Sequence, residues 1–214
     1  LDLSRELRAS LGDTPQALRD LSVSLNKLGN VEREAGYLHA ATAAYRESLK
    51  ISRQLRASLG DMPQVLRDLS VSLDGLGDVE RKAGHLPDAE AAYRESLELR
   101  RQLRASLGDT PQALRDLSIS LNKLGDVERK ASRLPVATAA YRESLELRRQ
   151  LRASLGDTPQ ALRDLSISLD KLGAVEAEIG NLAAAESVRR ESRELVALLE
   201  PDPAGQASSG EVGN

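Results

Sequence analysis

The sequence predicts an all-α protein: a right-handed α-solenoid of four antiparallel helix hairpins preceded by a partial helix. Three observations predict it. The string LRASLGD begins at Leu7, Leu55, Leu103 and Leu151, a period of 48 residues. Within each period Leu and Ala recur at helical spacing, with no strand alternation. The 214-residue chain also lacks Phe and Trp, and only 2% of it is aromatic. A large globular core uses bulky aromatics to fill irregular space, whereas a two-layer stack of similar helices packs with Leu and Ala alone.

The elements follow in order. Residues 1–11, LDLSRELRASL, align with LKISRQLRASL at 49–59. The chain is therefore expected to open in the second helix of a truncated repeat, and Leu1 in place of Met reads as a cut N-terminus. Repeats are expected at 12–59, 60–107, 108–155 and 156–200. Each begins with a turn such as Gly12-Asp13-Thr14-Pro15 or Gly60-Asp61-Met62-Pro63. Gly suits the left-handed position closing the preceding helix, Asp or Thr caps the next, and Pro fits its first turn. Leu18, Leu21, Leu25 and Leu28 form the apolar stripe of the first helix, which ends at Gly36, at Gly84, or at Ser132 in the third repeat. The second helix carries Leu38, Ala41, Tyr45, Leu49, Leu55 and Leu59, with Pro87 and Pro135 in its first turn, where a missing N–H costs nothing. Each helix is about 21 residues, or roughly 31 Å. In the fourth repeat Arg189 stands where Tyr45, Tyr93 and Tyr141 stand, and Ala174 and Ala177 replace charged residues, as a terminal cap requires. Pro201 and Pro203 stop the last helix, and 201–214 reads as a disordered, natural C-terminal tail.

The register Leu25, Leu28, Gly29, Gly36, Leu38, Ala41, Tyr45 recurs as Leu73, Leu76, Gly77, Gly84, Leu86, Ala89, Tyr93, and as Leu121, Leu124, Gly125, Ser132, Leu134, Ala137, Tyr141. This pattern resembles the tetratricopeptide repeat over residues 15 to 199. The resemblance implies helix hairpins in which Gly29 and Ala41 let two helices approach and Tyr45 fills the space beside them. Two departures stand out. The period exceeds the usual 34 residues by 14, about four helical turns, or two per helix; such long repeats are similar to those of kinesin light chains. The aromatic usual in the middle of the first helix is replaced by Val31 and Glu32.

Composition narrows the function. Thirty basic residues against 33 acidic ones leave a net charge of −3, without the basic excess of a nucleic-acid binder. There is no apolar run of membrane-spanning length, no signal peptide and no cysteine, which together suggest a cytoplasmic location. No cofactor or metal site is expected: His39 and His85 lack ligand partners at fixed spacing and do not recur. Ser24/Lys27, Ser120/Lys123 and Ser168/Lys171 match a serine acylating motif, but they repeat because the unit repeats, and Gly75 breaks the series. Arg94, Arg100, Arg101 and Arg104, interleaved with Glu95 and Glu98, read as a solvated, salt-bridged face. The chain is thus expected to be a binding scaffold and not an enzyme.

One stripe is the candidate site. Arg19, Val23, Asn26, Asn30 and Arg33 lie on one side of the first helix, with counterparts Arg67, Val71, Asp74, Asp78, Arg81 and Arg115, Ile119, Asn122, Asp126, Arg129. The family resemblance implies that first helices line a concave groove. Apolar contact flanked by amides and charges would suit an extended partner peptide or a helix, with Asn26 and Asn122 facing solvent and offering amides to its backbone. A sensor arm of a larger signalling protein and a self-assembling scaffold are the alternatives. Weak self-association is expected through the N-terminal end, residues 1–35.

Overall fold

The computed structural model of the chain describes residues 12–199 and, before them, Glu6 and Ala9. Among the described residues all regular structure is helical and forms four hairpins: α1 (Pro15–Glu34) with α2 (Leu38–Leu59), α3 (Pro63–Ala83) with α4 (Leu86–Leu107), α5 (Pro111–Lys130) with α6 (Leu134–Leu155), and α7 (Pro159–Glu178) with α8 (Leu182–Ala197). Among the described residues each helix packs on the next in sequence, and the principal further contacts join neighbouring hairpins, as in a solenoid. The first helices α1 and α3, and α5 and α7, also approach one another directly, and no pair of second helices does so to a like extent. That places first helices on the inner side of the curve. The expected partial helix over 1–11 lies outside the described residues apart from Glu6 and Ala9, as does the tail 201–214.

The helix boundaries come from local chemistry, with one correction to the sequence reading. Of the two caps the sequence offers, Thr is the one used: Thr14, Thr110 and Thr158 accept hydrogen bonds from the backbone N–H of Ala17, Ala113 and Ala161 at 3.3, 3.2 and 3.3 Å. Asp61, Asp109 and Asp157 instead receive the guanidinium of Arg56, Arg104 and Arg152 across the turn at 2.7, 2.6 and 2.6 Å. Those hydrogen bonds hold all three carboxyls below the usual carboxylate range. Met62, at the Thr position of α3, makes no capping bond. The turn glycines are not left-handed helical. Gly60, Gly108 and Gly156 sit at φ 74, 74 and 72° with ψ −163, −171 and −169°, a region open essentially to glycine alone. The left-handed closure occurs at the other turn, where Gly84 (φ 86°) and Ser132 (φ 60°) let the next N–H reach back to the helix.

The core is a row of Leu side chains from both layers. Leu21, Leu25, Leu69, Leu73, Leu117, Leu121, Leu165 and Leu169 are all at most 1% exposed. Leu59, by contrast, is 38% exposed and does not belong to the buried stripe expected of α2. The close approach at Gly77 and Gly125 is required by the tyrosines. A Cβ there would fall 2.5 Å from a ring atom of Tyr93 or Tyr141. The residues that replace the missing mid-helix aromatic divide the work. Val79, Val127 and Val175 are fully buried against the preceding second helix. Glu80, Glu128 and Glu176 are also buried, and each accepts from an arginine of the preceding second helix, Arg46, Arg94 and Arg142 at 3.1, 2.8 and 2.5 Å. A buried carboxylate is tolerated only when paired, so this ion pair locks each hairpin to the one before it.

Candidate functional site

The predicted stripe divides into a buried seam and an accessible groove. Asn26 and Asn122, at 8% and 9% exposure, and Asp74, at 7%, are buried between repeats. Asn26 Nδ2 donates to Ser72 Oγ at 3.0 Å, and Asn122 Nδ2 to Ser168 Oγ at 3.3 Å. Asp74 accepts from Ser96 Oγ at 2.7 Å and from buried Arg100 at 2.5 Å. The expectation that Asn26 and Asn122 face solvent is therefore overturned. Asn26 continues a chain of buried serines, Ser22, Ser48 and Ser72, linked hydroxyl to hydroxyl at 2.9 Å, and Asn122 does the same with Ser144 and Ser168. Arg100 and Arg148 correct the reading of the second helices as wholly solvated: they fill the position of Ser52 and are 7% and 5% exposed. Arg94, Arg101 and Arg104 do lie on the surface, paired with Glu128, Glu143 and Asp109.

The outer half of the stripe is a ladder of charges. Tyr45, Tyr93 and Tyr141 donate their hydroxyls to Asn30, Asp78 and Asp126 at 2.8, 2.6 and 2.7 Å. Asp78 also receives Arg33 of the hairpin before and Lys123 of the hairpin after, both at 2.8 Å. Asp126 receives Lys171 at 2.5 Å. Lys123 and Lys171 lie 5.6 and 5.8 Å from the ring centroids of Tyr93 and Tyr141, within cation–π range. The positions are matched across repeats: Asp78 faces Lys123, Asp126 faces Lys171, and neutral Asn30 faces Gly75. A Cβ at Gly75 would fall 2.1 Å from Tyr45 Cε1, so the ring occupies the space a lysine stem takes in the later repeats. The sequence carried this signal, because Gly75 and Asn30 depart from the pattern together.

Burial pushes the Asp78 carboxyl up, but Lys123, Tyr93 and Arg33 outweigh it and hold it below the ordinary range. Tyr93 and Tyr141 are pushed well above an ordinary phenol, first by burial and then by the neighbouring Asp78 and Asp126. Arg19 is spent on Asp68 at 2.6 Å and Arg115 on Asp164 at 3.7 Å, while Arg129 pairs with Glu178. Arg81 differs: among the described residues no carboxylate lies within ion-pair distance of it, and although burial pulls its pKa down, Tyr93, Asp78 and Asp126 together hold it above the ordinary value. Lys82 and Lys130 donate to backbone carbonyls, those of Arg33 at 2.8 Å and Arg81 at 3.5 Å. Two adjoining recesses run along the ends of the first helices, one bordered by Arg33, Asp78 and Lys82, the other by Asp126, Arg129 and Glu178, and Arg81 and Lys130 line both. Val71, 46% exposed, and half-buried Val23 and Ile119 continue the face toward the helix starts, joined by Ile167 at 50%.

Comparison with known proteins agrees with this architecture. A tetratricopeptide repeat model matches residues 21–56 and 69–104, which run from within the first helix through most of the second in the first two hairpins. No curated protein matches the chain. Among solved structures, the apo form of RapI is similar at 15% identity and a TM-score of 0.66, covering 83% of this chain and 56% of RapI, so the chain spans little more than half of that protein. BtubC (BKLC) from P. vanneervenii is similar at 18% identity and a TM-score of 0.55, covering 94% of this chain and 90% of BtubC. The de novo designed helical repeat protein DHR64 follows at 15% identity and 0.52, with 87% and 97% covered. At these identities the likeness is one of fold. The tetratricopeptide repeat match extends over the first two hairpins, and the register Leu121, Leu124, Gly125, Tyr141 carries the same pattern into the third.

Proposed function

We propose that this helical-repeat scaffold binds protein partners, holding an extended peptide or a helix of the partner along the inner groove of first helices. The observation that carries the reading is the continuous pair of recesses sharing Arg81 and Lys130, cations that form no ion pair among the described residues. A neighbouring row of Val23, Val71, Ile119 and Ile167 offers apolar contact, so the groove has the mixed character of a peptide site. Asn26, Asp74 and Asn122 take no part in contact, since the repeats have already consumed them. With Asp78 and Asp126 engaged by lysines, acidic side chains are the preferred ligand groups. Fluorescence anisotropy with matched acidic, neutral and basic ten-residue peptides tests this. Acidic peptides should bind most tightly, with affinity falling as salt rises, and Arg81→Ala should weaken them about ten- to a hundred-fold, as expected for a charge-assisted bond. Binding that is indifferent to peptide charge and to Arg81 would overturn the reading.

A second reading, weak self-association through the N-terminal end, is favoured by Val31 and Tyr37, 63% and 67% exposed, whereas the counterparts of Val31 in later repeats are fully covered. Val31→Lys should then abolish concentration-dependent sedimentation; a wild-type chain sedimenting as a strict monomer at high concentration would dispose of it.

A further inference from the structure

Both histidines of the chain line a single cavity at the junction of the first two hairpins, although 46 residues separate them in sequence. His39 comes from the first turn of α2 and His85 from the N-cap of α4, and buried Glu80, at the end of α3, lines the same cavity. His85 Nδ1 lies 2.8 Å from Glu80 Oε2, and a carboxylate oxygen of Asp88, in the first turn of α4, lies within 4.8 Å of both ligand atoms. From this geometry we propose that His39, Glu80, His85 and Asp88 form a binding site for a divalent transition-metal ion of the zinc class.

Three arguments carry it. The donor set, two imidazoles and two carboxylates, is the chemistry such ions take, and ligands of one tetrahedral ion stand about 3.4 Å apart, inside the 4.8 Å that already spans Glu80, His85 and Asp88. Glu80 is held in place from behind, because Arg46 donates to its other oxygen, Oε1, at 3.1 Å and leaves Oε2 toward the imidazole. The third argument comes from the repeat itself. At the equivalent positions His39 is replaced by Pro87, Pro135 and Ala183, His85 by Tyr37, Arg133 and Asn181, and Asp88 by Ala40, Val136 and Ala184. In a chain of near-identical units, two departures of metal-ligating type, His39 and His85, line one cavity, and a third, Asp88, stands within 4.8 Å of His85. A purely structural role accounts for His85, since Arg133 and Asn181 donate to Glu128 and Glu176 in the same way, but it accounts for neither Asp88 nor His39.

The test uses the full chain without an affinity tag, titrated with zinc chloride by calorimetry and with cobalt chloride by visible absorption. One ion should bind per chain, with cobalt giving the intense visible bands of a low-coordinate site. His39→Ala, His85→Asn and Asp88→Ala should each weaken zinc binding at least about tenfold. Each variant introduces a residue that another repeat already carries at that place, so the fold is preserved, and circular dichroism verifies it. Absence of saturable one-to-one binding, or wild-type affinity in any of the three variants, overturns the proposal.

Discussion

Replacing Asp78 with Asn removes a charge while preserving shape, and the chain already contains the outcome of that exchange, since Asn30 occupies the same position one repeat earlier and still accepts from Tyr45 at 2.8 Å. Asp78→Asn should therefore keep the Tyr93 bond and lose the charge attraction to Arg33 and Lys123. A hydrogen bond to a charged group contributes about 1.5–3 kcal/mol and a fully exposed ion pair about 0.2–1 kcal/mol. The side chains of Asp78, Arg33 and Lys123 are 19, 23 and 24% exposed, so the pairs fall between these limits. Together they should contribute about 1–3 kcal/mol. The sign with pH follows from the lowered Asp78 pKa. Stabilisation is fully present above the unfolded value of about 3.9 and is lost as pH falls through the lower folded value. Urea unfolding followed by circular dichroism at neutral and acid pH measures both quantities. Because repeats contact only their neighbours, amide exchange should quicken in α1, α3 and α5 and stay unchanged in α8. A neutral-pH difference below about 0.3 kcal/mol, or one that persists undiminished in acid, would refute the assignment of Asp78 as a charged node.

Two further substitutions probe the turns. Met62→Thr should stabilise the chain by about 1 kcal/mol, by giving α3 the cap that Thr14, Thr110 and Thr158 give their helices; an unchanged melting temperature would count against the cap as the difference between these turns. Ser132→Gly should raise stability by about 0.5–1 kcal/mol, because relief of left-handed strain exceeds the added freedom of glycine in the unfolded chain. Thermal melting checks it, and a lowered melting temperature would show that the Ser132 side chain contributes more than its backbone conformation costs.

The groove residues show how far sequence patterns reach. Val79 and Glu80 occupy adjacent positions on α3 and are both buried, one against apolar side chains and the other against Arg46. Helical spacing alone assigns only one of them to a core face. The missing cue was the arginine 34 residues earlier, which recurs before each buried glutamate. Arg100 was misread for the same reason: an arginine among charged residues looks solvated until Asp74 of another helix is placed beside it.

What the sequence by itself determined is everything that depends on separations within one hairpin. Periodicity, Gly-Pro turns, the Leu stripes and the Gly–Tyr register are local, and local geometry fixes their meaning. Which polar side chains remain for a partner was decided only by the tertiary structure. Asn26 and Arg33 share one helix face, seven residues apart, yet one is buried against Ser72 while the other reaches across to Asp78 at the groove. The twist and spacing with which one hairpin stacks on the next decide between burial and exposure. The same stacking brought His39 and His85 to one cavity, because side chains from different helices can share a site only after the helices have packed.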